Sequence, residues 1–419
     1  MQNFLDLKNT SEFWAEVKEN INIKKQKIEK VNYENSVNCI LAENLVSNEN
    51  LPAFNRSTVD GYAVCASDLK GISESLPAYL DVIGSIEMGK KTDLKIKEGQ
   101  AAYIPTGAML PEGADGVIMV EYTEKISDKM IECSRSVGVG ENIIKKGEEV
   151  KKDELILKKG HKIKPRDMGV LAGLGFNEIE VYEKPEVVII STGDELIPPD
   201  KEIKFGQIRD INTYTIGALL KEAGASVNKV GIIEDTYQNL KESVKNYLSA
   251  DLILVSGGSS AGIKDMTVDV INELGKPGVL IHGLKVKPGK PTILGQINKT
   301  PVMGLPGHPG SAWIISNLFV KPLVKLLSGE YDIENIESDI SKDSIKRNAI
   351  LDRNISSDKG RKEIIPVKEV YKKENVYAKP LLGKSSFMKV FIDSDGYIVI
   401  ESGLEGLNKG DQVDIIYFK

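Results

Sequence analysis

Four short polar segments follow apolar, β-prone runs in the second half of the chain, and their residue types suit the binding of an anion. They are STGDE (191–195), IED (233–235), SGGSS (256–260) and LPGHPGS (305–311). Ligands of open parallel sheets bind beyond the carboxyl ends of the strands. We therefore expect all four segments to line one crevice.

The chemical groups in these segments complement one another. Glycines allow a close approach of the backbone, and N–H groups at a helix start can hold oxyanions. Carboxylates beside such a loop suggest Mg²⁺, which takes one or two carboxylates together with substrate phosphates. Each group alone is more often a turn, a cap or a solvated side chain, but together they predict a nucleotide-like anionic ligand with a divalent metal. The candidates are Asp194, Glu195, Asp235, Gly257, Gly258, Ser259, Ser260 and Asp265.

Two lysines flank a Pro-Gly turn in a further segment, KPGKP (287–291). Lys287 and Lys290 are either solvated surface residues or donors to an oxyanion. We favour the second interpretation because the segment is expected at the same edge of the sheet. Pro306 and Pro309 give the LPGHPGS segment a rigid shape, although each could equally mark a simple turn or a helix start.

The elements that would position these groups alternate between strand and helix over residues 184–328. Strands are predicted at PEVVIIST, VNKVGII, DLILVSG and PVMGL, and helices at NTYTIGALLKEAGA, YQNLKESVKNYLSA and DMTVDVINELG. Apolar strands that alternate with helices predict a buried parallel sheet covered on both faces. The chain lacks GxxxxGK[ST] and GxGxxG, which excludes a P-loop NTPase and argues against dinucleotide binding.

Short strand-like runs with Gly and Pro turns dominate the rest of the chain. They predict one small β domain at residues 50–140 and another at residues 329–419, with the acidic run GEYDIENIESDISKD (329–343) as a linker. The apolar spacing of NSVNCILAENL (35–45) predicts an amphipathic helix. KPRDMGVLAGLGF (164–176) is predicted to be a short helix.

The composition narrows the class of protein. A length of 419 residues is too great for one core and predicts three or four domains. The net charge of -6 argues against nucleic-acid or anionic-membrane binding. The three cysteines form no CxxC pair, and only three histidines are present, so any metal should be held by carboxylates. No apolar signal core or membrane-spanning run is found, so we expect a cytoplasmic protein.

Seven segments in chain order resemble the motifs of the molybdopterin molybdenumtransferase family, of the MoeA type and related to the E domain of gephyrin. The segments are LPAFNRSTVDGYAV, YIPTGAMLPEGAD, STGDEL, GQIRDINTYTI, SGGSSAGIKDMT, KPGKP and GLPGHPGSA. The resemblance covers residues 51–327 and continues more loosely through GRKEIIPV and PLLGKSS. An ordered series of this kind is far more specific than any one motif.

The resemblance implies a multidomain α/β plus β fold. A discontinuous N-terminal domain would comprise residues 1–49 and 141–183, with the β domain of residues 50–140 inserted into it. Residues 184–328 would form a three-layer α/β molybdopterin-binding domain, and residues 329–419 a small β-barrel domain. The family also implies an elongated homodimer, in which the active cleft lies between the α/β domain and the STVDGYA loop of the partner subunit.

The reaction implied by the resemblance is the last step of molybdenum cofactor biosynthesis. Adenylylated molybdopterin and molybdate bind as substrates, Mg²⁺ assists, AMP leaves, and molybdenum joins the dithiolene sulfurs. Motif positions imply catalytic roles for Asp60, Glu195, Asp265, Lys287 and Lys290, with Asp265 and Glu195 as metal ligands. They imply substrate binding by Thr106, Asp194, Asp235, Gly257, Gly258, Ser259, Ser260, Pro306, His308, Pro309, Arg361 and Ser385.

Some residues depart from the family pattern, and more than one function stays open. His308 stands where we expect Asn, and Glu149 where the family usually has Asp. Arg209 and Asp210 are interpreted as scaffold residues. A molybdopterin adenylyltransferase is a second possible function and also a candidate partner protein. A tungstate-handling version of the same enzyme and a non-catalytic scaffolding protein complete the range of functions.

Overall fold

The N-terminal helix α1 (Thr10–Asn20) begins with a capping box. The Asn9 side chain accepts a hydrogen bond from the backbone N–H of Glu12, and the Glu12 carboxylate accepts one from the N–H of Asn9. Two N–H groups that a helix start leaves unpaired are thereby satisfied. The buried face of α1 packs into the core of the α/β domain, where the rings of Phe13 and Phe319 lie 4.5 Å apart.

The structure is a computed structural model that contains two compact units. It describes residues 7–21, 23, 26–257, 261–384 and 386–418, without the side chains of residues 261–265. One unit comprises residues 1–30, 38–42 and 180–419, and the other comprises residues 31–37 and 43–179. Within the described residues, no helix is long and apolar enough to cross a membrane.

Residues 35–45 do not form the predicted amphipathic helix, so that prediction was wrong. Asn38 has a φ of 69°, in the left-handed region that interrupts a right-handed helix. Leu41 forms an isolated antiparallel bridge with Val181 instead. The apolar side chains are therefore buried by strand-like pairing, which their helical spacing does not reveal.

The second unit is built mainly from short strands, as its turn-rich sequence predicts. The strands of this unit, with β1 and β12 crossing its borders, are β1 (Ile28–Asn32), β2 (Leu45–Val46), β3 (Arg56–Ser57), β4 (Gly61–Val64), β5 (Ala78–Ser85), β6 (Gln100–Ile104), β7 (Gly116–Met119), β8 (Thr123–Ser127), β9 (Met130–Cys133), β10 (Ile143–Ile144), β11 (Leu155–Leu157) and β12 (Glu178–Tyr182). A six-stranded sheet has the order β7-β4-β6-β5-β9-β8. Helix α2 (Asp167–Gly173) confirms the short helix predicted within residues 164–176.

The α/β domain begins at β13 and contains all the strand–helix alternations that the sequence predicts. Its strands are β13 (Glu186–Thr192), β14 (Leu196–Ile197), β15 (Ile208–Arg209), β16 (Ser226–Ile233), β17 (Leu252–Gly257), β18 (Pro277–His282), β19 (Val286–Lys287), β20 (Ile293–Ile297) and β21 (Thr300–Leu305). Its helices are α3 (Asn212–Glu222), α4 (Tyr237–Asn246), α5 (Ala261–Leu274), α6 (Pro309–Ile315) and α7 (Lys321–Leu327), and a π-helix (Ser316–Val320) joins the last two.

The main sheet of this domain has the order β16-β13-β17-β21-β20-β18. The first four strands are parallel, so their carboxyl ends share one edge. Strands β20 and β18 are antiparallel to their neighbours, so the loop between them returns to that same edge. Alternate side chains of β13 enter two cores, one beneath α3, α6 and α7 and the other beneath α4 and α5. These three layers confirm the predicted domain architecture.

The C-terminal region forms a closed β-barrel, as predicted. Its elements are α8 (Ile336–Asp343), β22 (Lys346–Leu351), β23 (Ile355–Ser356), β24 (Lys362–Lys372), β25 (Asn375–Pro380), α9 (Lys389–Ile392), β26 (Gly396–Ile400), β27 (Gly406–Leu407) and β28 (Gln412–Tyr417). The order β24-β25-β22-β28-β26 closes because β26 also pairs with β24. Strand β19 of the α/β domain adds to β24 in parallel.

The acidic segment before the barrel is ordered by a buried lysine, whereas the sequence predicts only a linker there. Lys325 is 6% exposed. Its Nζ donates hydrogen bonds to Glu330 at 2.8 Å and to Asp343 at 2.6 Å. Burial alone would lower the pKa of Lys325, but the two carboxylates outweigh it and raise that pKa. This ion triad links α7, which contains Lys325, to the end of α8, which contains Asp343.

Candidate functional site

A cavity of about 500 Å³ opens at the carboxyl edge of the parallel strands. Its lining comes from the segments that follow β13 and β21, from the last two residues of β17 and from the start of α3. The predicted segment 233–235, at the end of β16, is not part of the lining. Four residues singled out in the sequence line it, namely Glu195, Gly257, His308 and Pro309. The strand topology thus brings together residues that are distant in the sequence, as expected for an open parallel sheet.

Carboxylates gather at the ends of β13 and β16. The hydroxyl of Thr192 donates a hydrogen bond of 2.8 Å to Asp235, and the backbone N–H of Asp235 donates one of 3.3 Å to Asp194. Burial raises the pKa of Asp235, and the charges of Asp194 and Glu195 raise it further, against the lowering effect of the Thr192 hydrogen bond. Negative charge is therefore unfavourable here, and a cation would relieve it.

These carboxylates fit an incomplete magnesium site. No three His, Cys, Asp or Glu side chains among those described are arranged as a ready-made metal site. Mg²⁺ commonly takes one or two carboxylates and completes its octahedron with water and substrate phosphates. Glu195 and the hydrogen-bonded pair Asp194 and Asp235 offer such a partial set. Asp265 belongs to α5, but its side chain lies outside the described part of the chain.

Gly257 lies where the ends of two neighbouring strands, β13 and β17, approach each other very closely. Its φ is 150°, and a Cβ atom there would lie 1.9 Å from the backbone oxygen of Thr192. No residue with a side chain fits this position. The predicted phosphate-binding residues Gly258, Ser259 and Ser260 lie outside the described residues.

The LPGHPGS segment turns sharply from β21 into α6. Pro306 is buried, and Pro309 is the first residue of α6, where the missing N–H of proline costs nothing. His308 is exposed at the cap position, with an extended backbone. Pro309 lines the cavity and Pro306 does not, and the role of both prolines in substrate binding stays a prediction.

The lysine segment lies in the loop that returns from β18 to β20. Lys287 belongs to β19, and its ammonium lies 3.1 Å from Glu363 and 3.6 Å from Asp358. Lys290 is exposed, and no carboxylate pairs with it among the described residues. Arg361 immediately precedes β24, which pairs with β19, so the barrel brings a third cationic residue to this loop.

The barrel also reaches the main cavity. Ser386, which lies between β25 and α9, lines it. The neighbouring Ser385, predicted to bind substrate, lies outside the described residues. The family resemblance implies that the C-terminal domain reaches this site through both Arg361 and Ser385, and those two roles stay predictions.

Asp60 and Thr106 lie together in the second unit. The Asp60 carboxylate accepts a hydrogen bond of 2.7 Å from the backbone N–H of Thr106 and one of 3.0 Å from its hydroxyl. These bonds, the backbone bond first, lower the pKa of Asp60. Both residues are exposed. Their proximity agrees with the motif-based expectation that Thr106 lies near Asp60.

Several cavity residues were missed or undervalued in the sequence. Arg209 and Asp210, interpreted as scaffold, both line the cavity. Asp210 does have a structural role, because it accepts a hydrogen bond from the N–H of Thr213 at the start of α3. Apolar residues form another part of the wall, and they are Leu196, Ile203, Ile208 and Ile211. The IRDIN segment (208–212) leads directly into a helix start, and this position in the sequence could have identified its residues as part of the cavity wall.

Three family profiles together match most of the chain. Residues 9–175 match the MoeA N-terminal region (domain I and II). Residues 188–326 match a family described as "Probable molybdopterin binding domain". Residues 348–418 match the MoeA C-terminal region (domain IV).

Named relatives and a solved structure are similar over most of their length. The molybdopterin molybdenumtransferase of Bacillus subtilis is 30% identical over 406 residues, which is 94% of this chain and 91% of that protein. That of Haemophilus influenzae is 34% identical over 303 residues, covering 72% and 73% of the two chains. The crystal structure of a molybdopterin biosynthesis MoeA protein from Pyrococcus horikoshii has a TM-score of 0.83 and 36% identity, over 99% of both chains.

Proposed function

The chain belongs to the MoeA family of molybdopterin molybdenumtransferases, enzymes of molybdenum cofactor biosynthesis, and on that premise we propose that it inserts molybdate into adenylylated molybdopterin with Mg²⁺-dependent release of AMP. The observation that carries this proposal is that Glu195 and Gly257 line one cavity, while the charge of Glu195 also acts on the carboxylate of Asp235. A phosphoanhydride substrate needs both features.

The carboxylates would hold Mg²⁺ against the phosphates of the substrate. Asp194, Glu195 and Asp235 are the described candidates, and Asp265 is a further one from its motif. When bound, Mg²⁺ would neutralise the charge that develops on the phosphates as their bridging bond breaks. Gly257 would let a phosphate approach the backbone without a side chain in the way.

The flat rings of the substrate would lie against the apolar wall of the cavity. Ile203 and Ile208 are 54% and 55% exposed, although both line the cavity. Small-molecule sites are commonly apolar with a few convergent polar groups. A pterin or adenine ring that covers these side chains would remove apolar surface from water.

Molybdate is a tetrahedral dianion, and the cationic loop supplies its donors in this proposal. Lys287, Lys290 and Arg361 would bind it, since ammonium and guanidinium groups form strong charge-assisted hydrogen bonds to oxyanions. We also propose a cytoplasmic homodimer, in which Asp60 and Thr106 serve the cavity of the partner subunit. The support for this last point is the family resemblance of the STVDGYA segment.

The first experiment compares two reactions in parallel. One contains the protein, Mg²⁺, molybdate and adenylylated molybdopterin, and the other contains the protein, Mg²⁺, ATP and free molybdopterin. AMP release with molybdenum retained in the first reaction supports the proposal, and repetition with tungstate ranks the two metals. Adenylylated product in the second reaction alone would identify an adenylyltransferase. If neither reaction gives its product, a scaffolding protein is favoured.

Two matched variants test the magnesium assignment in the first reaction. Glu195→Gln removes a carboxylate at the cavity, and Glu222→Gln removes an exposed one at the far end of α3. We expect the first variant to need a higher Mg²⁺ concentration for half-maximal AMP release and the second to match the unaltered protein. Equal Mg²⁺ dependence of both variants would contradict the assignment of Glu195.

A further inference from the structure

The first residue of α3, Asn212, joins two of the cavity loops through a single side-chain amide. Its Nδ2 donates a hydrogen bond of 2.9 Å to the hydroxyl of Ser256 and one of 3.0 Å to the backbone oxygen of Gly307. Ser256 directly precedes Gly257 at the end of β17, and Gly307 lies in the turn between β21 and α6. Both N–H groups of the amide are therefore used, one for each loop.

The amide is held in a fixed place by its surroundings. Asn212 is 8% exposed and Ser256 is 1% exposed, so water competes little for these hydrogen bonds. The next residue, Thr213, shares a hydroxyl hydrogen bond of 2.6 Å with Ser191 of β13. The start of α3 is thus tied to the carboxyl ends of three parallel strands, and Asn212 is among the residues that line the cavity.

The Asn212 amide links two segments at the cavity. The core beneath α3 contains Ile216 and Leu220, and the N–H of Thr213 at the helix start already donates a hydrogen bond to Asp210. The Asn212 amide adds no apolar contact to that core, and both of its bonds end on segments that bear candidate ligand residues. Carboxamide N–H groups cannot be replaced by the isosteric carboxylate of Asp, which only accepts hydrogen bonds when ionised.

We propose that Asn212 is a positioning residue that sets the relative placement of the Gly257 and His308 loops. The inference rests on the proposed function for its catalytic consequence, and on the hydrogen bonds alone for its structural one. A displacement of about 1 Å in a group that positions the substrate can reduce the reaction rate about 100-fold. The catalytic consequence is thus an increase in KM and a decrease in kcat/KM for adenylylated molybdopterin when the amide is lost.

The test uses the full-length protein and two readouts. Asn212→Ala and Asn212→Asp remove the donors, and Ser256→Ala removes one acceptor while Ser256→Thr keeps it. Gln296→Ala is the matched control, because Gln296 is 3% exposed and donates to a backbone oxygen at 2.8 Å, but lies toward the opposite end of β20. Steady-state AMP release gives kcat and KM, and amide hydrogen exchange gives the protection of residues 255–257 and 307–312.

We expect both Asn212 variants to reduce kcat/KM by about 10- to 100-fold and to speed exchange in both segments. Ser256→Ala should show part of this loss, and Ser256→Thr should restore it. The double variant Asn212→Ala, Ser256→Ala should lose no more than Asn212→Ala alone, because the two residues share one hydrogen bond. Gln296→Ala should lower the melting temperature without these effects on KM or loop exchange.

Two results would overturn the proposal. One is unchanged exchange in both segments when the amide is removed. The other is a loss of kcat/KM in Asn212→Ala that Gln296→Ala reproduces at an equal loss of melting temperature. An unaltered protein without AMP release would reject the proposed function separately, and the exchange measurement would still decide whether Asn212 positions the loops.

Discussion

The ammonium of Lys287 lies 3.1 Å from the carboxylate of Glu363, across the parallel ladder that joins β19 to β24. Glu363 is buried and also accepts a hydrogen bond from the Ser357 hydroxyl. A lysine predicted to bind an oxyanion is therefore partly neutralised before the anion arrives. Lys290, three residues further on, has no such carboxylate among the described residues.

This relationship predicts opposite effects of two substitutions on molybdate binding. Glu363→Gln removes the competing charge, and we expect the KM for molybdate to fall about two- to fivefold, in line with the strength of a partly exposed ion pair. Lys290→Ala should raise the KM for molybdate by about two- to fivefold or more. Initial rates at varied molybdate concentration measure both effects.

A lysine in the turn that follows β20 provides the control for molybdate binding. Lys299 is exposed between β20 and β21, at the opposite end of the sheet, so Lys299→Ala should leave the KM unchanged. A higher KM for Glu363→Gln would mean that Glu363 orients Lys287 for the anion rather than competing with it.

Asp235→Asn should stabilise the free protein while it weakens magnesium-dependent turnover. The folded-state pKa of Asp235 is raised by burial and by its neighbouring carboxylates, so the native state loses stability as the pH rises from the unfolded pKa through the folded one. The amide has no charge to bury, and we expect its melting temperature at pH 7 to be higher by about 1–3 °C. Calorimetry at several pH values should show this difference shrinking toward acid pH.

The same substitution removes a candidate magnesium ligand. We expect about a tenfold or larger increase in the Mg²⁺ concentration needed for half-maximal AMP release. A variant that is less stable than the unaltered protein at pH 7 would show that Asp235 is not under the charge repulsion described above.

Thr106→Val should raise the pKa of Asp60. The backbone N–H and the hydroxyl of Thr106 stabilise the ionised carboxylate, which therefore keeps its charge to lower pH than an unperturbed aspartate. Valine removes the hydroxyl and retains the N–H, so part of the lowering should disappear. An NMR titration of the Asp60 carboxyl measures the change, and the acid limb of kcat/KM should move to higher pH with it.

Thr123→Val serves as the comparison for Asp60, because the Thr123 hydroxyl donates to the backbone oxygen of Val120 in the same unit. This variant should leave the titration of Asp60 unchanged. If Thr106→Val moved the carboxyl titration but not the acid limb, the activity would not depend on ionised Asp60.

Lys325→Met should destabilise the unit that contains the α/β domain and the barrel. It leaves the carboxylates of Glu330 and Asp343 without their buried partner, and the loss of one member of such a group costs about 3 kcal/mol. Urea unfolding can be followed by the fluorescence of Trp14 and Trp313, which both belong to this unit.

The matched variant for Lys325 is Lys342→Met on the surface of α8. The Lys342 side chain is 74% exposed and lies 3.5 Å from Asp339, so we expect a change below about 1 kcal/mol. Similar effects of the two substitutions would indicate that water reaches the Lys325 triad.

The family, the α/β domain and the barrel were predictable because their signals are distributed over many residues. The apolar runs of β13 and β17 stop where polar loops begin, so the cavity edge could be located from sequence alone. The predicted division into an inserted domain at residues 50–140 stays a prediction. The assignment of catalytic and substrate-binding roles to individual residues also stays a prediction.

The errors come from single residues with long-range partners. A left-handed Asn38 replaces the predicted helix with bridge pairing, and the buried Lys325 orders a segment that resembles a charged linker. Asn212 was not singled out because its importance depends on Ser256 and Gly307, which are distant in sequence. Periodicity reports which face of an element is buried, but it carries no information about such pairings.

The loop between β18 and β20 carries the lysines proposed to bind the anion, and its position in the fold limits how anion selectivity can change. It joins an antiparallel pair at the border of the sheet, and its strand β19 also pairs with β24 of the barrel, so a change in this loop affects the barrel but not the order of the parallel strands. A change in the loop therefore requires a matching change in β24. In evolutionary terms, we expect selectivity for one tetrahedral oxyanion over another to change through paired substitutions in this loop and in β24.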